Sequence, residues 1–148
     1  MSVAVDLTPF KSLITGFLRS VQKYPDRDAL FVNDNNYSYK ELFGYVLNIS
    51  DILKEYNISR KHIGIFTDRS ISLFSGILAS LYNEAAYVPM NPSLPESKIK
   101  LLIDVSNVDV IITEKKLVEK LLKLTKEIDK KFTLIVADSE ENKNDQID

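Results

Sequence analysis

HIGIFTDRSISLFSGILASLYNEAAYVPMNPSLP, running from His62 to Pro95, decides the fold. Ser70 to Asn83 carries no charged side chain over fourteen positions. Ile71, Phe74, Ile77, Leu78 and Leu81 recur at helical spacing, and Leu73 widens the stripe. A helix apolar on most of its surface expects cover on most sides. It is too short for a bilayer, which needs about 20 apolar residues. It therefore reads as a buried crossover helix. His62–Thr67 before it and Ala86–Met90 after it are strand candidates. Strands joined by a crossover of this size pair in parallel, with a right-handed connection.

Upstream, Thr8-Pro9 has the chemistry of a helix start, with threonine at the N-cap and proline in the first turn. Phe10, Leu13, Ile14, Phe17, Leu18 and Val21 would share its apolar face. The helix should end before Pro25, because the residue before proline disfavours helical dihedrals. Ala29–Val32 and Asn36–Ser38 flank Asn33-Asp34-Asn35, which is turn chemistry, and predict a hairpin. Ser38 and Glu41 have capping-box spacing. The helix they open runs to about Tyr56, with Leu42, Val46, Ile49, Ile52, Leu53 and Tyr56 on one side. Asn57 or Ser59-Arg60-Lys61 would stop it.

Downstream, Ser93 and Glu96 repeat the capping-box spacing. Ile99, Leu102, Ile103 and Val105 would form the inner face of the helix that follows. Val108–Thr113 is a short apolar strand. Glu114–Ile128 is amphipathic, with Leu117, Val118, Leu121, Leu122, Leu124 and Ile128 inside. Lys115, Lys116, Lys120, Lys123 and Lys126 lie outside, as a solvated face rather than an anion-binding patch. Phe132–Ala137 is a last strand. The order predicts an α/β fold: a mostly parallel sheet with helices on both faces, preceded by a helix and a small hairpin.

Composition narrows the function. The chain has 148 residues, 45% hydrophobic and 27% charged, which suits one globular domain. A net charge of −2 gives no reason to expect nucleic acid. With no cysteine and one histidine there is no disulfide frame, no thiol nucleophile and no ligand set for structural zinc. The N-terminus lacks signal-peptide character, so a cytoplasmic location without membrane attachment is the expectation. Asp138–Asp148 holds five acids against Lys143. It reads as a polar, disordered tail or linker following a folded region of residues 1–137.

Candidate chemistry is sparse. Four glycines, of which the closest pair is twelve residues apart, assemble neither a dinucleotide fingerprint nor a phosphate-cradling loop. His62 begins a buried strand without a serine elbow, so a structural role is expected. Asp68-Arg69-Ser70 lies at the carboxyl end of a strand, where α/β sheets bind ligands. Helix capping by Asp68 or Ser70 is the simpler expectation there. Glu84 and Glu96 are not spaced as an acid/base pair. Tyr37, Tyr39, Tyr45, Tyr82 and Tyr87 read as core or core-rim residues.

AYVPMNPSLPESKI (Ala86–Ile99) resembles the AYVPxDPxxPxxRI segment of adenylate-forming (AMP-binding) enzymes. Nonribosomal peptide synthetase adenylation domains and D-alanyl carrier protein ligases are the nearest in pattern. YSYKEL (Tyr37–Leu42) is similar to an early segment of that family. YPDRDALFVNDNNYSYKEL and IGIFTDRSISLFSGILASLYNEAAYVP resemble its opening hairpin and first strand–helix–strand. Asn83-Glu84-Ala85 stands where the family usually has glycine, implying a different turn. Asn91 replaces the usual Asp, and Lys98 the usual Arg. The resemblance implies the N-terminal part of a ligase that uses ATP and Mg²⁺ to activate an amino or other carboxylic acid. It would then pass the acyl group to the phosphopantetheine of a carrier protein. The family's phosphate loop, acyl pocket, metal ligand and catalytic lysine would follow beyond this region. No catalytic, cofactor-binding or metal residue is expected within it, so the chain alone should be inactive. Two alternatives compete: an interaction module that kept the fold and lost the chemistry, and an unrelated flavodoxin-like binding domain.

Overall fold

The computed structural model describes residues 12–56 and 61–139. Helix α1 spans Thr15–Lys23. The predicted Thr8-Pro9 start lies outside the described residues. The segment before α1 forms a turn, closed by the Thr15 N–H on the Ser12 carbonyl at 3.1 Å. Leu13 is 83% exposed and drops off the predicted apolar face, whereas Ile14 is buried. No residue of α1 itself is fully buried; Ile14, at its N-cap, is the covered one. The helix ends before Pro25, as predicted.

Strands β1 (Asp28–Val32) and β2 (Asn35–Ser38) form the hairpin. Its turn is shorter than predicted: Asn35 pairs with Val32, leaving two central residues. These are Asn33 and Asp34, with φ of 51° and 60°. Two left-handed residues match the twist of the flanking strands, so no third is needed. Helix α2 (Tyr39–Glu55) opens with the predicted capping box. The Ser38 N–H donates to the Glu41 carboxylate at 2.8 Å, and the Glu41 N–H donates to the Ser38 hydroxyl at 3.2 Å. Leu42, Val46, Ile49 and Leu53 are buried; Ile52 and Tyr56 lie on the exposed margin, so the stripe is narrower than predicted.

Strands β3 (His62–Phe66), β4 (Ala86–Pro89), β5 (Val110–Thr113) and β6 (Thr133–Val136) form a parallel sheet in the order β4-β3-β5-β6. Ile63 registers against Tyr87 on one side and Val110 on the other. Strand alternation sends successive side chains to opposite faces. Ile63, Ile65, Val110 and Ile112 pack in one core with Val46, Ile49 and Leu53 of α2 and Ala79. Phe66 and Ile111 pack in the other with Ile99, Ile103, Leu121 and Leu124. Each fully buried side chain of this size contributes about 1.5–3 kcal/mol. The second core packs directly on Gly64: a Cβ there would lie 2.3 Å from Met90 Cε and 3.2 Å from Ile111 Cγ1, so the methionine end would have to move aside.

Helix α3 (Ile71–Tyr82) is covered on all sides, as expected, but its deepest residues are the small ones. Its buried residues are Ser72, Ser75, Gly76, Ala79 and Ser80, while Leu73, Phe74, Ile77, Leu78 and Leu81 are only half-buried. Small residues let the helix sit close to the sheet. A Cβ on Gly76 would be 3.4 Å from Ile65 Cδ1 and 3.5 Å from Ile112 Cγ2. The serines bury without loss because Ser75 and Ser80 donate to the Ile71 and Gly76 carbonyls, each at 2.8 Å. After α3, Glu84 adopts φ 56°. Its N–H donates to the Leu81 carbonyl at 3.2 Å, and that of Ala85 to the Ser80 carbonyl at 2.9 Å. This is a Schellman turn, so the loss of glycine leaves the left-handed turn in place, with a glutamate in it.

Helix α4 (Glu96–Ser106) lacks the predicted capping box. Pro95 is its N-cap, and Leu94, preceding a proline, is kept out of helical dihedrals, which puts Ser93 too early to cap. The Ser93 N–H instead donates to the Asn91 side-chain oxygen at 2.8 Å. Asparagine thus closes the same Asx turn that aspartate would. Ile99 and Ile103 face the core, but Val105 is 74% exposed. The predicted helix 114–128 is shorter: a 3₁₀ turn at Lys115–Leu117 leads into α5 (Val118–Thr125). Glu114 stays extended, and Leu122 is exposed rather than inside. Asp138, first of the expected tail, accepts the Lys115 N–H at 2.7 Å. Among the described residues no helix is long and apolar enough to cross a membrane.

Candidate functional site

In a parallel sheet, ligands gather outside the carboxyl ends of the strands where the strand order reverses. Here β4 lies on one side of β3 and β5 on the other, so the reversal falls between β3 and β5. Asp68 and Ser70 leave β3 at that point, and Glu114 and Lys116 leave β5.

Neither Asp68 nor Ser70 caps α3, contrary to expectation. Ser70 occupies the N-cap with extended dihedrals, but makes no cap hydrogen bond. Its hydroxyl donates to the Glu114 carboxylate instead. A buried carboxylate competes well for that hydroxyl, because hydrogen bonds to charged groups are the stronger ones. Glu114 is 5% exposed. Its Oε2 has no hydrogen bond and lies 3.5 Å from Lys116 Nζ, an ion pair rather than a bond. The Thr67 hydroxyl is likewise buried without a partner. Asp68 pairs with Lys116 at 2.6 Å. That hydrogen bond raises the lysine pKa; desolvation opposes the shift, and the nearby carboxylate charges add to it. Both ends are well exposed, so the pair is worth at most about 1 kcal/mol. Arg69 is exposed.

A cleft of about 570 Å³ opens beside this cluster, lined by Thr67, Asp68, Arg69, Leu73, Phe74 and Met90 among others. The cluster ties the loop after β3 to the loop after β5. His62 lies at the opposite end of β3, away from this cluster. There the His62 Nδ1 contacts the Ser106 carbonyl at 2.6 Å and anchors the strand to the end of α4. Glu84 and Glu96 sit at opposite ends of β4. Tyr37 packs edge-on to Tyr45, and Tyr82 to Phe43, each pair at 5.9 Å; Tyr39 meets Phe17 at 6.1 Å. Tyr87 is rim-exposed. Of the lysines on the α5 side, Lys116 and Lys120 act as ties, the latter donating to the Pro92 carbonyl at 2.6 Å. Sequence reasoning missed Glu114. Its signal was position: a carboxylate directly after a fully apolar strand, at that strand's carboxyl end.

The AMP-binding enzyme family matches residues 17–148. Bacitracin synthase 2 of Bacillus licheniformis is 31% identical over 103 residues, covering 69% of this chain and 4% of that protein. Gramicidin S synthase 2 of Brevibacillus brevis is 29% identical over 131 residues, covering 88% of this chain and 3% of that protein. Among solved structures, the nonribosomal peptide synthetase FmoA3 in its α-methyl-L-serine-AMP-bound form superposes with a TM-score of 0.80. That match is 18% identical and covers 91% of this chain and 15% of FmoA3. The chain thus spans a small fraction of the length of each relative it matches. A parallel sheet carrying the AYVP strand at its edge, with a family match over almost all of the described fold, places the chain in the AMP-binding enzyme family.

Proposed function

We propose that residues 1–137 are the N-terminal layer of an adenylation domain, and that residues 138–148 lead onward from it. The complete domain would condense an amino or other carboxylic acid with ATP to an acyl adenylate, releasing pyrophosphate. It would then transfer the acyl group to the phosphopantetheine thiol of a carrier protein. The observation that carries this reading is the family match over 17–148, joined to a fold that superposes on 15% of a peptide synthetase.

The described residues do not fit a Mg²⁺ or ATP-phosphate site. No group of three or more His, Cys, Asp or Glu side chains gathers among them. No glycine-rich loop occurs in the sequence either. In this reading the groups that bind ATP and Mg²⁺ belong to the rest of the domain. The part of this chain is to build one layer of the large domain and hold it rigid, with the Ser70–Glu114 contact joining two of its loops.

ATP–pyrophosphate exchange tests the reading. The purified chain alone should give none, and supplying the rest of an adenylation domain should restore it. Acyl adenylate made by the chain alone would refute this division of labour. Silence with several well-folded complements would refute the membership of this chain in a working adenylation domain.

A further inference from the structure

We draw no further inference here: the strongest candidate, the cleft of about 570 Å³ at the carboxyl ends of β3 and β4, lined by Thr67, whose buried hydroxyl has no partner, belongs to the site already described, and nothing in the structure shows what fills it.

Discussion

Single residues carry much of what is specific to this chain. Glu84 holds a left-handed conformation that costs a non-glycine residue about 1–2 kcal/mol. Part of any gain from glycine is lost to the freer unfolded chain. Glu84→Gly should therefore stabilise the fold by about 0.5–1 kcal/mol, read as a higher urea midpoint with an unchanged slope. Ser38→Ala should cost about 1 kcal/mol, because it removes the hydroxyl that accepts the Glu41 N–H. The capping box also titrates. The Ser38 backbone N–H, and then its hydroxyl, lower the Glu41 pKa below the ordinary glutamate value. A depressed folded-state pKa stabilises above the unfolded value and loses that contribution as pH falls through the folded one. Glu41→Gln should flatten this part of the acid limb of the stability curve and leave the neutral region without pH dependence from this site.

Helix α3 and the loops around it set the next scale. Its small residues are the structural ones, so Ala79→Leu should destabilise by about 1–3 kcal/mol through overpacking. Ile77→Ser, on the half-buried side, should cost less in the isolated chain. Denaturation of the two variants in parallel decides which face is buried, and the reverse order would contradict the observed packing. The loop after β3 is tied to β5 through Ser70 and Glu114. Removing the hydroxyl alone leaves a buried carboxylate short of a donor, so Ser70→Ala should cost about 1.5–3 kcal/mol. In a double-mutant cycle with Glu114→Gln the two changes should couple rather than add. Additive losses would mean that the contact joins nothing.

For the whole molecule, the sheet carries two cores, and Leu73, Ile77 and Leu78 of α3 pack against the first of them. A complement that binds the native state stabilises it by mass action, about 2.7 kcal/mol at a hundred times its Kd. At 2–4 °C per kcal/mol for a domain of this size, the midpoint should rise by about 5–10 °C. A scan at increasing complement concentration measures this, and a flat midpoint would argue that nothing docks.

Local rules sufficed wherever one element sets its own state. The Ser38–Glu41 box, the hairpin turning at Asn33-Asp34-Asn35 (though not its exact length), the stop before Pro25 and the parallel pairing of the strands that begin at His62 and Ala86 were all legible in residue order. Each follows from dihedral preference, hydrogen-bond reach or hydrophobic period within a short window. The side of α3 that is buried was not legible, because period locates an apolar stripe but not the partner it meets. Close approach to Ile65 and Ile112 chose glycine, alanine and serine over leucine and phenylalanine. Nor could spacing show that Ser70 would donate to Glu114, 44 positions away, instead of capping its own helix. Only the parallel alignment of β3 and β5 brings a buried carboxylate within reach of that hydroxyl, and a charged acceptor then outcompetes a backbone amide.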